Sequence, residues 1–203
     1  MQGVEPEEGA ERPRFPEMIE TERLILRSPR AGDGAEINAA VREMYEELHL
    51  WMPWANHVPT VEETEANCVE TQDRYARGED FGIAGYRQSD GAFVLRSGLH
   101  LRDARIPRYE IGYWCRAKFQ GAGYVCETVR ALTRVGFEQM GAKRIDIQCD
   151  SRNEKSRRVA ERCGYRLVAE LKYDDIATDG SLRDTLLFSL TREEYDAAAS
   201  DIP

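Results

Sequence analysis

Glu110-Ile-Gly-Tyr-Trp-Cys115-Arg-Ala-Lys118-Phe-Gln-Gly121-Ala-Gly123-Tyr124-Val-Cys-Glu127 joins an apolar strand, a turn with two glycines and the start of a helix. Glycines at 121 and 123 accept positive φ without steric cost, so backbone N–H groups can turn inward there. The helix behind them adds the partial positive charge of its N-terminus. Together they make an anion site of main chain more than of side chains, suited to a phosphate.

Outward from this stretch the chain alternates. Helix 124–140 carries Val125, Val129, Leu132, Gly136 and Met140 on one stripe and stops at Gly141. Strand 143–149, a short helix 154–163 ended by Gly164, strand 165–171 and a last strand from Asp184 to Leu190 follow. Before it, the pattern predicts strand Arg23–Arg27, a helix from Glu36 to about Leu48 and an aromatic loop from His49 to His57. A polar helix at 61–77 and strands at 81–86, 92–99 and 109–115 complete the series. The expected architecture is α/β: a mixed, mostly antiparallel central sheet with helices on both faces. Residues 1–18, with Pro6, Pro13, Pro16 and many glutamates, read as a flexible acidic tail; 19–193 read as one domain and 194–203 as a C-terminal tail.

Three phosphate-binding patterns compete for the glycine turn. A dinucleotide fingerprint needs a third glycine where Cys126 stands, and usually opens its fold instead of lying mid-chain. A P-loop needs Gly-Lys-Ser/Thr, which is absent. Lys118-Phe-Gln-Gly121-Ala-Gly123 is a basic residue followed by x-x-Gly-x-Gly, and it resembles the pyrophosphate motif of the GNAT superfamily of acetyl-CoA-dependent N-acetyltransferases. That motif begins with Gln or Arg, so Lys118 is a mild departure. "EIGYW" before the loop and "GYVCETVRAL" after it resemble the RimJ/RimL branch, as do "SRNEKSRRVAERCGY" at 151–165, "RLILR" at 23–27 and "LHLWMPW" at 48–54. The likeness covers roughly residues 20 to 193.

This resemblance implies the GNAT fold, acetyl-CoA as donor and a primary amine as acceptor, either a protein N-terminus or a small molecule. It implies that Ile111, Gly112, Tyr113, Trp114 and Cys115 present backbone to the pantetheine arm. Lys118, Phe119, Gln120, Gly121, Ala122, Gly123 and Tyr124 would wrap the pyrophosphate. Asn153 resembles the family asparagine that bonds the cofactor, and it is also a favourable N-cap for the helix at 154. Arg158, with Arg116, Lys118 and Arg157, could meet the ribose phosphate or be a solvated charge. Glu127 complements the helix dipole.

Amine acetylation needs a neutral amine, a polarised thioester and stabilisation of the departing thiolate. Glu110 is the candidate base, and Asp175, in a polar loop with Tyr173 and Asp174, is its rival by the branch resemblance. The wider superfamily places a tyrosine four residues before the Gly-aromatic pair, and here that residue is Ala160. Ser156 fits the branch pattern as the group near the sulfur. Trp51, Trp54, His57 and Tyr173 are candidate acceptor walls. Cys115 and Cys126 flank the loop without a histidine nearby in sequence, so direct transfer is expected over an acyl-cysteine.

The bulk numbers fit. Five cysteines without a C-x-x-C pair predict free thiols in the cytoplasm and no metal. A net charge of −9 disfavours direct nucleic-acid binding and suits cationic acceptors. No membrane span or signal peptide is expected. A homodimer is possible on the branch resemblance. An acyl-CoA-binding module without turnover is the rival function; Ala160 favours it, while Ser156 and Glu110 oppose it.

Overall fold

The structure, a computed structural model, describes residues 15–200. Its strands are β1 (Met18–Glu20), β2 (Leu24–Arg27), β3 (Phe81–Arg87), β4 (Phe93–Asp103), β5 (Arg108–Cys115), β6 (Arg144–Asp150), β7 (Arg166–Ile176) and β8 (Leu182–Thr191). They form one sheet in the order β1-β2-β3-β4-β5-β6-β8-β7. Every neighbouring pair is antiparallel except β5 and β6. The helices are α1 (Gly34–Glu43), α2 (Tyr45–Trp51), α3 (Val61–Ala76), α4 (Tyr124–Glu138), α5 (Glu154–Arg162) and α6 (Arg192–Ser200). This is the GNAT architecture expected from the sequence.

The sheet separates two apolar cores. Val129, Leu132 and Val135 of α4 pack with Leu99, Ile111, Ile145 and Phe188 on one face. Ile37, Ala40, Val41, Met44, Leu48 and Cys68 from α1, α2 and α3 cover Ala84 and Phe93 on the other. Burying the α4 stripe removes several aliphatic side chains from water, at about 1.5–3 kcal/mol each. That parallel crossover, β5–α4–β6, fixes the glycine turn at the head of the sheet.

Several expected boundaries move. The tail at 1–18 is too long: residues 1–14 lie outside the described residues, but Phe15 is buried, stacked on Phe81 at 4.7 Å and edge-on to Tyr75. A single aromatic between prolines is a plug that average composition hides. Of the expected C-terminal tail at 194–203, residues 201–203 lie outside the described residues, while 194–200 belong to α6, where Tyr195 stacks on Phe137 at 4.7 Å. The single helix from 36 to 48 divides at Met44, whose N–H donates to both Ala40 and Val41. Tyr173, Asp174 and Asp175 are not in a loop: they belong to β7, whose pairing with β8 shifts after Leu171↔Thr185 and resumes at Asp175↔Arg183 and Ile176↔Leu182. Both faces of that edge strand are wet, so no alternation marked it in the sequence.

Candidate active site

β5 and β6 pair only from Arg108↔Arg144 to Glu110↔Asp146. Beyond that rung β6 continues with β8 to Asp150, and β5 continues with β4 to Cys115. The strands therefore part, leaving main-chain groups of residues 111–115 unpaired on the β6 side. Such groups are obligatory hydrogen-bonding partners for whatever enters. The gap leads into a cavity of about 380 Å³ between α2, β5, α4 and α5.

At one end of this cavity sits the glycine turn. Gly121 and Gly123 have φ of +75° and +86°, the left-handed conformation that other residues adopt only at a cost. Gly123 is the N-cap of α4 and supplies no side-chain cap, so the first-turn amides are left for a ligand. α5, by contrast, is closed by Asn153, whose Oδ1 accepts from Ser156 N–H at 3.0 Å. Arg158 and Arg162 bring positive charge to the same cavity.

The turn is braced from a distance. Glu127 accepts from Thr21 Oγ1 at 2.6 Å, from Arg23 N–H at 2.8 Å and from Arg23 Nε at 2.7 Å. Burial pushes this carboxyl up, but those three donors outweigh it and hold it below its usual value. Arg23 also donates to the Ala122 carbonyl at 2.9 Å and stacks over Tyr124. The dipole role expected of Glu127 is thus joined by a tertiary clamp. Arg23 was not singled out from sequence; its only signal was a charge just ahead of an apolar strand.

Of the expected cofactor contacts, Tyr113, Trp114, Cys115, Phe119, Gln120, Gly121, Gly123, Tyr124, Asn153, Ser156 and Arg158 line the cavity. Ile111 points its side chain into the core, and Gly112, Lys118 and Ala122 lie outside the lining. The Lys118 ammonium rests over the Phe119 ring. Glu47 of α2 and Lys155 of α5 meet at 2.7 Å across the cavity, and Gln120 bonds both. Neither Glu47 nor Lys155 was anticipated, because more than a hundred residues separate them.

Glu110 stands on the rung where the strands part. Arg102 Nε and an Nη donate to its carboxylate at 3.1 and 3.2 Å, and Gln148 Nε2 donates at 3.2 Å. Glu110 itself lies outside the cavity lining, whereas Ser156 lines it, its Oγ 3.0 Å from the phenol of Tyr113. Asp175 is not brought there: it pairs with Arg183 at 3.5 Å on β7, separated from β5 by β8 and β6. Trp51 lines the cavity, and Trp54 approaches Trp114 at 6.4 Å. His57 is exposed against Asn56 and Glu63, and Tyr173 is exposed at the sheet edge; neither reaches the cavity.

The Cys115 and Cys163 thiols are poor nucleophiles. Burial, aided by Glu47, pushes Cys115 up to about 12, and burial does the same to Cys163. His49, His57 and His100 do not line the cavity. Among the described residues no cluster of three or more His, Cys, Asp or Glu is placed to hold a metal ion.

Comparison with known proteins agrees with this geometry. Residues 23–166 match the family model for the acetyltransferase (GNAT) domain. "Putative ribosomal N-acetyltransferase YdaF" of Bacillus subtilis is 26% identical over 175 residues, covering 86% of this chain and 94% of that protein. RimL, the ribosomal L7/L12 α-N-protein acetyltransferase solved with coenzyme A, superposes with a TM-score of 0.81 at 21% identity, covering 88% of this chain and 99% of RimL. The microcin C7 self-immunity acetyltransferase MccE, solved with acetyl-CoA and AMP, superposes with a TM-score of 0.79 at 21% identity, covering 88% and 98%.

Proposed function

The chain belongs to the acetyltransferase (GNAT) domain family, and we propose that it acetylates a primary amine by direct attack in a ternary complex. Acetyl-CoA is the donor. The observation that carries this reading is the parting of β5 from β6 beside an uncapped helix N-terminus, with a carboxylate and a hydroxyl at the gap. The pantetheine amides add to the open β5 edge as a strand would. The diphosphate takes the first-turn amides of α4, and Arg158 meets the ribose phosphate.

Chemistry follows from that placement. Glu110, held by hydrogen bonds from Arg102 and Gln148, accepts the acceptor's proton directly or through water. The nitrogen–carbon bond forms, the carbon–sulfur bond breaks, and the electron pair stays on sulfur. Ser156 Oγ–H then hydrogen-bonds the thiolate. We assign the base role to Glu110 over Asp175 because Asp175 sits at the far sheet edge beside Arg183. The raised thiol of Cys115 opposes an acyl-cysteine route.

A protein N-terminus is the acceptor we favour, because YdaF and RimL bear the names of ribosomal N-acetyltransferases and because the net charge of −9 attracts cationic partners. Trp51 and Trp54 would wall its path. A homodimer would form at β7, an outer edge strand with Leu167, Val168, Leu171 and Ile176 exposed, because unpaired strand edges invite a second copy. All five cysteines are free, as they would be in the cytoplasm. Among the described residues no helix is long and apolar enough to cross a membrane. The test is a mass-spectrometric acceptor screen of N-terminal peptides and small amines with acetyl-CoA. Acetylated peptides are expected, and coenzyme A release with no amine in the panel would overturn the reading.

A further inference from the structure

A serine hydroxyl turns freely, and what it donates to depends on its other bonds. Tyr113 Oη lies 3.0 Å from Ser156 Oγ and 3.2 Å from the Ser156 carbonyl oxygen. Asn153 holds the Ser156 N–H, so the serine's backbone is pinned while its O–H is not. Both Tyr113 and Ser156 line the cavity where the thioester would lie. Burial raises the Tyr113 phenol, which therefore keeps its proton and remains a donor. The Cys149 thiol, near the end of β6, interacts with the Ser156 hydroxyl. α5 offers no phenol of its own, since Ala160 is fully buried at the position where the wider superfamily carries tyrosine.

We propose that Tyr113 is a positioning residue for acetyl transfer, donating its phenol proton to Ser156 Oγ so that the serine's own proton faces the thioester sulfur. In the other arrangement the phenol donates to the Ser156 carbonyl, and Ser156 donates back to Tyr113, away from the sulfur. Charge growing on sulfur selects the first arrangement, because hydrogen bonds to an ionised acceptor are roughly twice as strong as neutral ones. As the carbon–sulfur bond breaks, sulfur keeps the electron pair and accepts the bond from Ser156 Oγ–H. No proton leaves Tyr113: a buried phenolate would be unstable. The proton taken by Glu110 and the one finally gained by the thiolate balance through solvent. β5 thus supplies two things, main chain for the pantetheine and a phenol that orients the group at its end.

The inference rests on the acetyl-transfer reading, and a double-mutant cycle tests it. Tyr113→Phe, Ser156→Ala and the double variant are compared by thiol release from acetyl-CoA. Peptides with free N-terminal serine or alanine serve as acceptors, and water serves as an acceptor-independent control. Tyr113→Phe is expected to lower kcat about tenfold, the size of one hydrogen bond to a charging group. KM for acetyl-CoA should stay within about twofold, and the thermal midpoint should report an intact fold. In the Ser156→Ala background the same change should cost nothing more. Losses that multiply in the double variant, a loss confined to KM, or an unaffected Ser156→Ala enzyme would each overturn the proposal. A wild-type enzyme that releases no thiol with any amine or with water would instead sink the acetyl-transfer reading itself.

Discussion

The glycine-turn end and the Glu110 end of the cleft are built from different material. At the glycine turn, a strand, a turn and a helix that follow one another in sequence leave first-turn amides open. Little depends there on a side chain arriving from elsewhere, beyond the brace of Arg23 and Glu127. At the other end, Glu110 is held by Arg102 on β4 and Gln148 on β6, and Trp51 reaches the cavity from α2. A site of local main chain tolerates surface drift, whereas a site of converging side chains can be retuned by changing any one of them.

Mutations at the two ends should therefore fail differently. The largest loss is expected from Glu110→Gln, which should lower kcat by on the order of a hundredfold, typical of removing a general base, with acetyl-CoA affinity nearly intact. Steady-state kinetics paired with calorimetric titration of acetyl-CoA checks this, and unchanged kcat would move the base role to Asp175 or water. Gly123→Val should show the opposite split. A β-branched residue at φ +86° carries strain of about 1–2 kcal/mol and distorts the anion cradle, so the dissociation constant for acetyl-CoA should rise roughly tenfold or more.

Smaller effects test the bracing. Glu127→Gln should destabilise the fold by about 1–2 kcal/mol at neutral pH, by weakening charge-assisted bonds to Thr21 and Arg23. Its sign with pH is fixed. Because the folded carboxyl lies below the ordinary value of 4.5, its stabilisation is complete above that pH and is lost as pH falls through the lower folded value. Chemical denaturation of both proteins at pH 7 and pH 3 should find the difference shrinking in acid. The smallest change is expected from Lys155→Met, which opens the link to Glu47 across the cavity. Lys155 is mostly exposed, so acetyl-CoA on- and off-rates in stopped flow should shift only about two- to threefold.

Legibility followed the same division. The 110–127 stretch showed strand, turn and helix correctly because each signal lies within a few residues of its cause: φ-permissive glycines, then an apolar stripe at helical spacing. Asn153 as a cap was likewise visible and holds in the structure. Edge and end elements were harder to read. The full length of β7 is hard to read because its outward residues are polar or apolar without alternation, and Lys172 and Asp175 find their partners, Asp184 and Arg183, only on β8. Phe15 and Tyr195 looked like parts of tails because their ring partners, Phe81 and Phe137, are far away in sequence.

By itself the sequence determined most of the order of strands and helices and the glycine turn at a helix start, since these rest on short-range patterns in φ, periodicity and spacing, and its motifs carried the resemblance to the family. Only the tertiary structure decided where β5 leaves β6, that Arg102 and Gln148 hold Glu110, and that Tyr113 reaches Ser156. Those contacts join residues brought together by strand register and helix packing, and a register is a property of two strands at once. A single rung, Glu110↔Asp146, ends the pairing and opens the cleft.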